Sequence, residues 1–309
     1  MWRFLAFKVA EFLLARLPRP AGYLVAYVVA EIVYVLSPSM RASIADNLKH
    51  VLGQAHGRGI SRAVKSVMRN SGKNYFDLIS LPYVRLDKLE KLVTVEGWHN
   101  LEEALQKGRG VVLATAHLGS FDVGVQILAM RSVKTTVLVE PLEPAPLFKH
   151  VLSLRASKGL TFLPVQMGVL KDILQLLRRG ETVLITCDRV FGDGGVNVPF
   201  FGSETMMPSG AVRIAMRTGA ALVPAYSVRC DGAYKVYIEP ALNFNPGGTQ
   251  ALICAMKQVI EVMEKYIRRY PEQWSVVNRV WPPSSGIQPS REIGVRSHGL
   301  GKRAQTSQS

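Results

Sequence analysis

The spacing of apolar residues changes several times along the chain, and each change marks an element. Residues 2–17 and 21–36 are two apolar runs. The first is interspersed with Arg3, Lys8, Glu11 and Arg16, the second is marred only by Glu31, and Leu17-Pro18-Arg19-Pro20 breaks the helix between them. Each run falls short of the ~20 apolar residues that a spanning helix needs, and no clear small-x-small cleavage site accompanies Ala30. The pattern predicts a helical hairpin or a pair of interfacial helices lying in one leaflet, with Arg and Lys at the headgroup level, and two ordinary core helices are the alternative. Residues 37–81 keep a helical period, with a basic, Gly-interrupted turn over 54–59 and a long helix from about Ser61. Arg62, Lys65, Arg69 and Lys73 fall near helical spacing on that helix and predict a cationic face.

Beyond residue 90 short β-branched runs alternate with amphipathic stretches. Strands are expected at 93–97, 111–116, 135–140, 162–165, 182–187, 221–228 and 235–238. Helices are expected at 100–107, 123–130 (starting near Ser120 or Asp122), 147–158, 168–179, 209–218 and 252–270, and a turn-rich loop over 192–202. Runs such as Val111-Val112-Leu113-Ala114 are continuous rather than alternating, which reads as a buried parallel strand. The expected fold is α/β, a central mostly parallel sheet flanked by helices, with an N-terminal hydrophobic membrane-associating segment over 1–36. The α/β domain fills 37–282, and 283–309, rich in Pro, Ser, Gly and Arg, is expected to be a disordered tail.

The run from Val111 ends in Ala116-His117-Leu118-Gly119-Ser120-Phe121-Asp122, which places a histidine at the carboxyl end of a strand, where α/β sheets hold their chemistry. Across a strand-to-helix turn Asp122 can fold back on the imidazole, accept from one ring nitrogen and leave the other to take a proton. Asp188-Arg189 ends another buried strand at the same sheet edge, so Asp188 is a site candidate too.

Composition narrows the class. An apolar content of 48% with 20% charge excludes a disordered chain, and a net charge of +15 predicts an anionic partner. No nucleic-acid-reading module accompanies that charge. Cys187, Cys230 and Cys254 lie far apart in apolar stretches and are expected to be buried thiols, with neither a disulfide framework nor a zinc site. No Gly-x-Ser-x-Gly elbow occurs, which argues against a serine hydrolase using Ser120.

His117-Leu-Gly-Ser-Phe-Asp122 after an apolar strand resembles the HX4D/E block of the lysophospholipid acyltransferase superfamily. Over residues 1–282 the chain resembles its bacterial branch of lipid A lauroyl/myristoyl and phosphatidylinositol mannoside acyltransferases. The resemblance is carried by Asn47-Leu48, Arg155, Asp188-Arg189, Val198-Pro199-Phe200-Phe201-Gly202, Pro208-Ser209-Gly210-Ala211 and Tyr270-Pro271-Glu272-Gln273-Trp274, in that order. Ser120-Phe121-Asp122 and Glu140-Pro141-Leu142-Glu143-Pro144 depart from the lipid A enzymes, and Asp122 with Glu140 is closer to the mannoside acyltransferases.

The resemblance implies acyl transfer from acyl-CoA or acyl carrier protein to a hydroxyl of a glycolipid or phospholipid. His117 is then the general base and Asp122 its orienting acid. Arg155 and Arg189 are candidates for gripping phosphate or the oxyanion, beside Glu140, Asp188 and, in an exposed loop, Glu204. Backbone N–H groups at the start of the following helix are the alternative oxyanion donors. The acyl thioester is a substrate, and neither metal nor cofactor is expected. The expected partners are the anionic headgroups of a bilayer, at the cytoplasmic face of the inner (plasma) membrane. A non-catalytic lipid-binding protein of the same fold is the alternative.

Overall fold

The computed structural model describes residues 2–53, 58–166, 168–190, 195–245 and 247–281. The expected disordered tail over 283–309, and part of the expected loop over 192–202, lie outside these residues. Among the described residues one sheet has seven strands. They are β1 (Val93–Glu96), β2 (Val111–Thr115), β3 (Thr135–Val139), β4 (Thr161–Pro164), β5 (Thr182–Thr186), β8 (Ala221–Cys230) and β9 (Ala233–Ile238), in the spatial order β1-β9-β8-β2-β5-β3-β4. Every neighbouring pair is parallel except β8 and β9. Those two join through Asp231-Gly232, both at positive φ, and Asp-Gly is the dipeptide that a two-residue hairpin turn selects.

The buried strands carry the apolar runs. All five residues of β2 and all five of β3 are buried, as a parallel sheet covered on both faces requires. Alternation along β2 feeds two cores. Val112 and Ala114 pack with Leu177 of α10 (Val169–Arg178), Ala215 of α11 (Gly210–Thr218) and Met263 of α12 (Thr249–Arg269). Val111 and Leu113 pack on the other side with Leu101 of α6 (Trp98–Gln106) and Ile127 of α8 (Gln126–Met130).

Several elements depart from the sequence pattern. The stretch read as a turn-rich loop contains β6 (Gly195–Phe200), paired antiparallel with β7 (Ser203–Pro208). Its Val198 and Phe200 are buried, as are Thr205 and Met207, so the period of two is present. Its Gly, Pro and Asn residues had masked the alternation. A further helix, α5 (Leu86–Leu92), precedes β1. The helix expected to start near Ser120 or Asp122 and run to Met130 is split into α7 (Phe121–Gly124) and α8. Gly124 lies so near β8 that a Cβ there would meet Ser227 Oγ at 2.1 Å. Of the three free thiols only Cys187 is buried, and Cys230 and Cys254 are exposed, against the expectation of three buried thiols.

At the N-terminus α1 (Trp2–Leu14), α2 (Arg19–Leu36), α3 (Pro38–Leu52) and α4 (Arg58–Ser80) form a helical layer. The buried face of α2 is the small-residue stripe Gly22, Ala26 and Ala30, which lets it sit close on α4. A Cβ on Gly22 would meet the Phe76 ring at 2.0 Å. The opposite face exposes Leu24, Val28, Ile32, Val35 and Leu36, and α1 exposes Trp2, Leu5, Phe12 and Leu13. By length and composition α2 is the one helix among the described residues apolar enough to cross a membrane. Glu31, the one charge in that run, turns inward to Arg69 and Lys65, so part of the expected cationic face of α4 is neutralised.

A buried network ties this layer to the sheet. Tyr23 Oη donates to Asp77 Oδ1 at 2.9 Å, while Asp77 Oδ2 accepts from Ser120 Oγ at 2.8 Å and from Arg229 Nη2 at 2.6 Å. Because the α2–α4 contact has no room for a methyl group, Gly22→Ala is expected to destabilise by about 1–3 kcal/mol through overpacking. The check is the midpoint of thermal unfolding in detergent, which should fall against that of the parent protein.

Candidate active site

Strand order creates the site. Strands β2 and β5 are parallel neighbours with Thr115 opposite Thr186, so the residues two beyond each, His117 and Asp188, leave the sheet side by side. The Cys187 N–H donates to Thr115 O at 2.7 Å and carries the ladder one step past the strands. His117 Nδ1 then lies 2.8 Å from Asp188 Oδ1. A carboxylate only accepts, so Nδ1 carries the proton and Nε2 is the nitrogen free to receive one. Gly119 holds the following turn at φ 60°, where a Cβ would meet Ser227 O at 2.3 Å.

Asp188 is fully buried, which is costly for a carboxylate unless donors surround it. Three N–H groups do so. Besides the imidazole, the His117 backbone N–H reaches Oδ2 at 2.8 Å and Trp274 Nε1 reaches it at 2.9 Å. Burial alone pushes the Asp188 carboxyl up, but the adjacent His117 charge and these donors outweigh it and hold it below its ordinary value. For His117 burial favours the neutral ring, yet the Asp188 charge and hydrogen bond prevail and raise it above 6.5. The imidazole is still 34% exposed on its open side.

That side faces a cleft of ≈ 220 Å³ lined by His117, Gly119, Phe121, Asp122 and Arg155, by Ser71, Asn74, Tyr75 and Leu78 of α4, and by Ser275 and Val277. Here the structure corrects the expected pairing of His117 with Asp122. The first turn of α7 carries Asp122 toward α9 (Ala145–Arg155), where Arg155 takes it in a fork, Nε to Oδ1 at 2.7 Å and Nη2 to Oδ2 at 3.4 Å. Buried Gln126 braces the pair by donating to the carbonyls of Asp122 and Arg155. Asp122 and Arg155 therefore form one polar wall of the cleft, and Asp188 is the carboxylate on the imidazole.

The other candidates fall into two groups. Glu140 follows β3, the strand beyond β5, and pairs with Arg189, so His117, Asp188, Arg189 and Glu140 form a row along one sheet edge. Glu204 is exposed on β7 and does not line the cleft. The expected backbone oxyanion donors are also partly engaged. The N–H groups of Leu118 and Gly119 bond Ala116 O and Gln273 O, and those of Val123 and Gly124 bond Ser120 O. Sequence reasoning gave no role to the α4 face, and its i, i+3, i+4, i+7 spacing (Ser71, Asn74, Tyr75, Leu78) was the available signal.

A strand-end imidazole held by a buried carboxylate beside an Arg–Asp wall can accept a proton at His117 Nε2 from a group bound in the cleft. Residues 1–282 match the family described as bacterial lipid A biosynthesis acyltransferase. The chain belongs to that family and is an acyltransferase. It is similar to the phosphatidylinositol mannoside acyltransferase of Mycobacterium tuberculosis (strain ATCC 25618 / H37Rv), 27% identical over 256 residues, which is 81% of this chain and 79% of the relative. The protein of that name from Mycolicibacterium smegmatis is 26% identical over 76% of this chain and 77% of its own. The lipid A biosynthesis palmitoleoyltransferase of Escherichia coli (strain K12) is 25% identical over 62% of each chain.

With His117 as the proton acceptor only its neutral ring is active, so its raised pKa is expected to place the acid limb of the activity profile above the pH at which an ordinary imidazole titrates. Asp188→Asn removes the opposing charge and leaves burial dominant, so that limb should move to lower pH. The plateau rate should drop about 10²–10⁴-fold, the usual worth of a positioned base. A kcat/KM profile of both proteins between pH 5 and 9 measures the two effects.

Proposed function

We propose that the chain transfers a fatty acyl group from a thioester, acyl-CoA or acyl carrier protein, to a hydroxyl of a membrane glycolipid or phospholipid. The observation that carries this reading is the His117 imidazole on the cleft wall, its Nδ1 held by buried Asp188, in a chain of the acyltransferase family. The acceptor oxygen attacks the thioester carbonyl while His117 Nε2 takes its proton. The C–O bond forms, the tetrahedral intermediate collapses, the C–S bond breaks, and the thiolate leaves with the proton returned by His117. The acceptor is itself the nucleophile, so no acyl-enzyme is required. Arg155, on the cleft wall, supplies positive charge toward the oxyanion or an acceptor phosphate, and Asp122 fixes its direction. Arg189 and Glu140 extend the polar row beside the imidazole.

A phosphatidylinositol mannoside-type acceptor is favoured over a lipid A-type one. The mycobacterial relatives that carry the first name match more of the chain than the enterobacterial ones, and Asp122 with Glu140 resembles that branch. The lipid surface is supported by the exposed apolar faces of α1 and α2, and the net +15 suits anionic headgroups at a cytoplasmic membrane face.

The test is transfer of radiolabel from palmitoyl-CoA, or from palmitoyl-carrier protein, into a total bacterial lipid extract. Parent protein and His117→Ala are run side by side. A labelled lipid that disappears with His117→Ala is expected, and its identity names the acceptor. Label that survives the substitution would overturn the general-base assignment. No label from either donor would bring forward a non-catalytic lipid-binding protein.

A further inference from the structure

Two sequence blocks of the chain, Asn47-Leu48 and the Tyr270–Trp274 stretch, have no assigned role in the transfer beyond the Trp274 hydrogen bond to Asp188, and the structure brings them together. After α12 the chain runs as a strap over residues 273–281, with neither helix nor strand beyond the 3-10 turn that ends at Gln273, and its Ser275 and Val277 line the cleft. Its first residues build the walls around His117. Gln273 O accepts the Gly119 N–H at 2.9 Å, and Leu118 bridges Trp274 in antiparallel fashion. The Ser275 N–H and Oγ both donate to His117 O at 2.9 Å. Trp274, 2% exposed, supplies the indole N–H on Asp188 Oδ2.

The far end of the strap is gripped by one side chain of α3. Asn47, 1% exposed, donates through Nδ2 to Val276 O at 3.2 Å and Asn278 O at 2.8 Å, and its Oδ1 accepts the Val280 N–H at 3.0 Å. One amide thereby satisfies three backbone groups that lack a strand partner. Trp281 completes the anchor, stacked on His50 at 4.0 Å and on Phe200 at 5.3 Å between ring centroids.

We propose that Trp274 is a positioning residue that sets the proton affinity of His117 through Asp188, and that Asn47 holds it in place by gripping the strap. The physical argument concerns one oxygen. Asp188 Oδ2 has two donors, the His117 backbone N–H and the Trp274 indole N–H. Both spread the carboxylate charge away from Oδ1, where the imidazole binds. Removing the indole donor leaves that charge less engaged and strengthens its hold on the imidazolium. It also removes a positive dipole end from beside the imidazolium. Both changes favour the protonated ring, so the His117 pKa rises. The proposal assigns to Trp274 a moderating role, since it keeps the base from being overheld in its protonated form. It rests on the general-base reading of His117 for its catalytic meaning, but its electrostatic content can be measured without turnover.

The experiment titrates His117 by NMR in the full-length protein labelled with 15N-histidine, in detergent, with the resonance assigned by its absence from His117→Ala. Trp274→Phe deletes the indole N–H and keeps an aromatic ring at the position, with a smaller side chain against Phe200 and Trp281, so its fold is checked by circular dichroism before titration. The expected result is a His117 titration moved upward by about half a pH unit or more, a shift in keeping with one charge-assisted hydrogen bond. The acid limb of kcat/KM should move with it while KM for palmitoyl-CoA stays fixed. An unchanged titration in folded Trp274→Phe overturns the proposal whatever the activity shows. A shifted titration with activity independent of His117 keeps the electrostatic coupling and overturns the general-base reading instead. Asn47→Ala tests the grip. Expected are an altered His117 titration and a kcat per folded molecule lowered several-fold. A lower melting temperature with both quantities unchanged would make Asn47 a stabilising residue only and overturn that part.

Discussion

The buried carboxylate of Asp188 is the constraint around which this structure is arranged. A charge with no contact with water is tolerable only where donors converge on it, and the donors here come from distant parts of the chain. The imidazole and backbone of His117 arrive from the end of β2, and the indole of Trp274 arrives from the strap after α12. Each must be in register for the carboxylate to stay ionised. The parallel pairing of β2 with β5 is what first brings the histidine and the aspartate to the same height.

The same principle recurs on a second level behind the site. Asp77 is buried too, and its oxygens are taken by Tyr23, Ser120 and Arg229, from α2, from the turn before α7 and from β8. The turn that carries His117, Gly119 and Ser120 is therefore held on one side by the strap and on the other by the helical layer. Gly119 at positive φ, pressed against β8, leaves that turn little freedom. The imidazole is fixed by its surroundings before any substrate arrives, which is the condition for efficient proton transfer.

How much of this could be read from sequence depends on whether the signal was local. The strands, the positions of His117, Asp188, Arg189 and Glu140 at one sheet edge, and the Arg155 helix were legible because apolar runs and their polar ends are local features. The partner of His117 was not. Strands β3 and β4 intervene in the chain between β2 and β5, so only the spatial order shows that Asp188 is the nearer acid. Asp122 looked available five residues on, but the first turn of α7 carries it to Arg155. The hairpin of β6 and β7 was hidden by its own turn residues, whose Gly and Pro density outweighs the alternation of Val198 and Phe200. Glu204, expected on an exposed loop, is exposed as expected but on a strand of that hairpin, away from the cleft.

The hydrogen bond from Tyr23 to Asp77 has a consequence for inheritance. The apolar N-terminal helices look like an appendage that could be exchanged for another anchor or shed. Yet α2 contributes a hydroxyl to the carboxylate that also receives Ser120, a residue of the turn that carries His117. Cutting the chain after residue 36 would leave a buried charge short of a donor at the rear of the reaction centre. The apolar N-terminal surface and the sheet must therefore be passed on together, and a descendant of this fold without α2 would first need a new residue to satisfy Asp77.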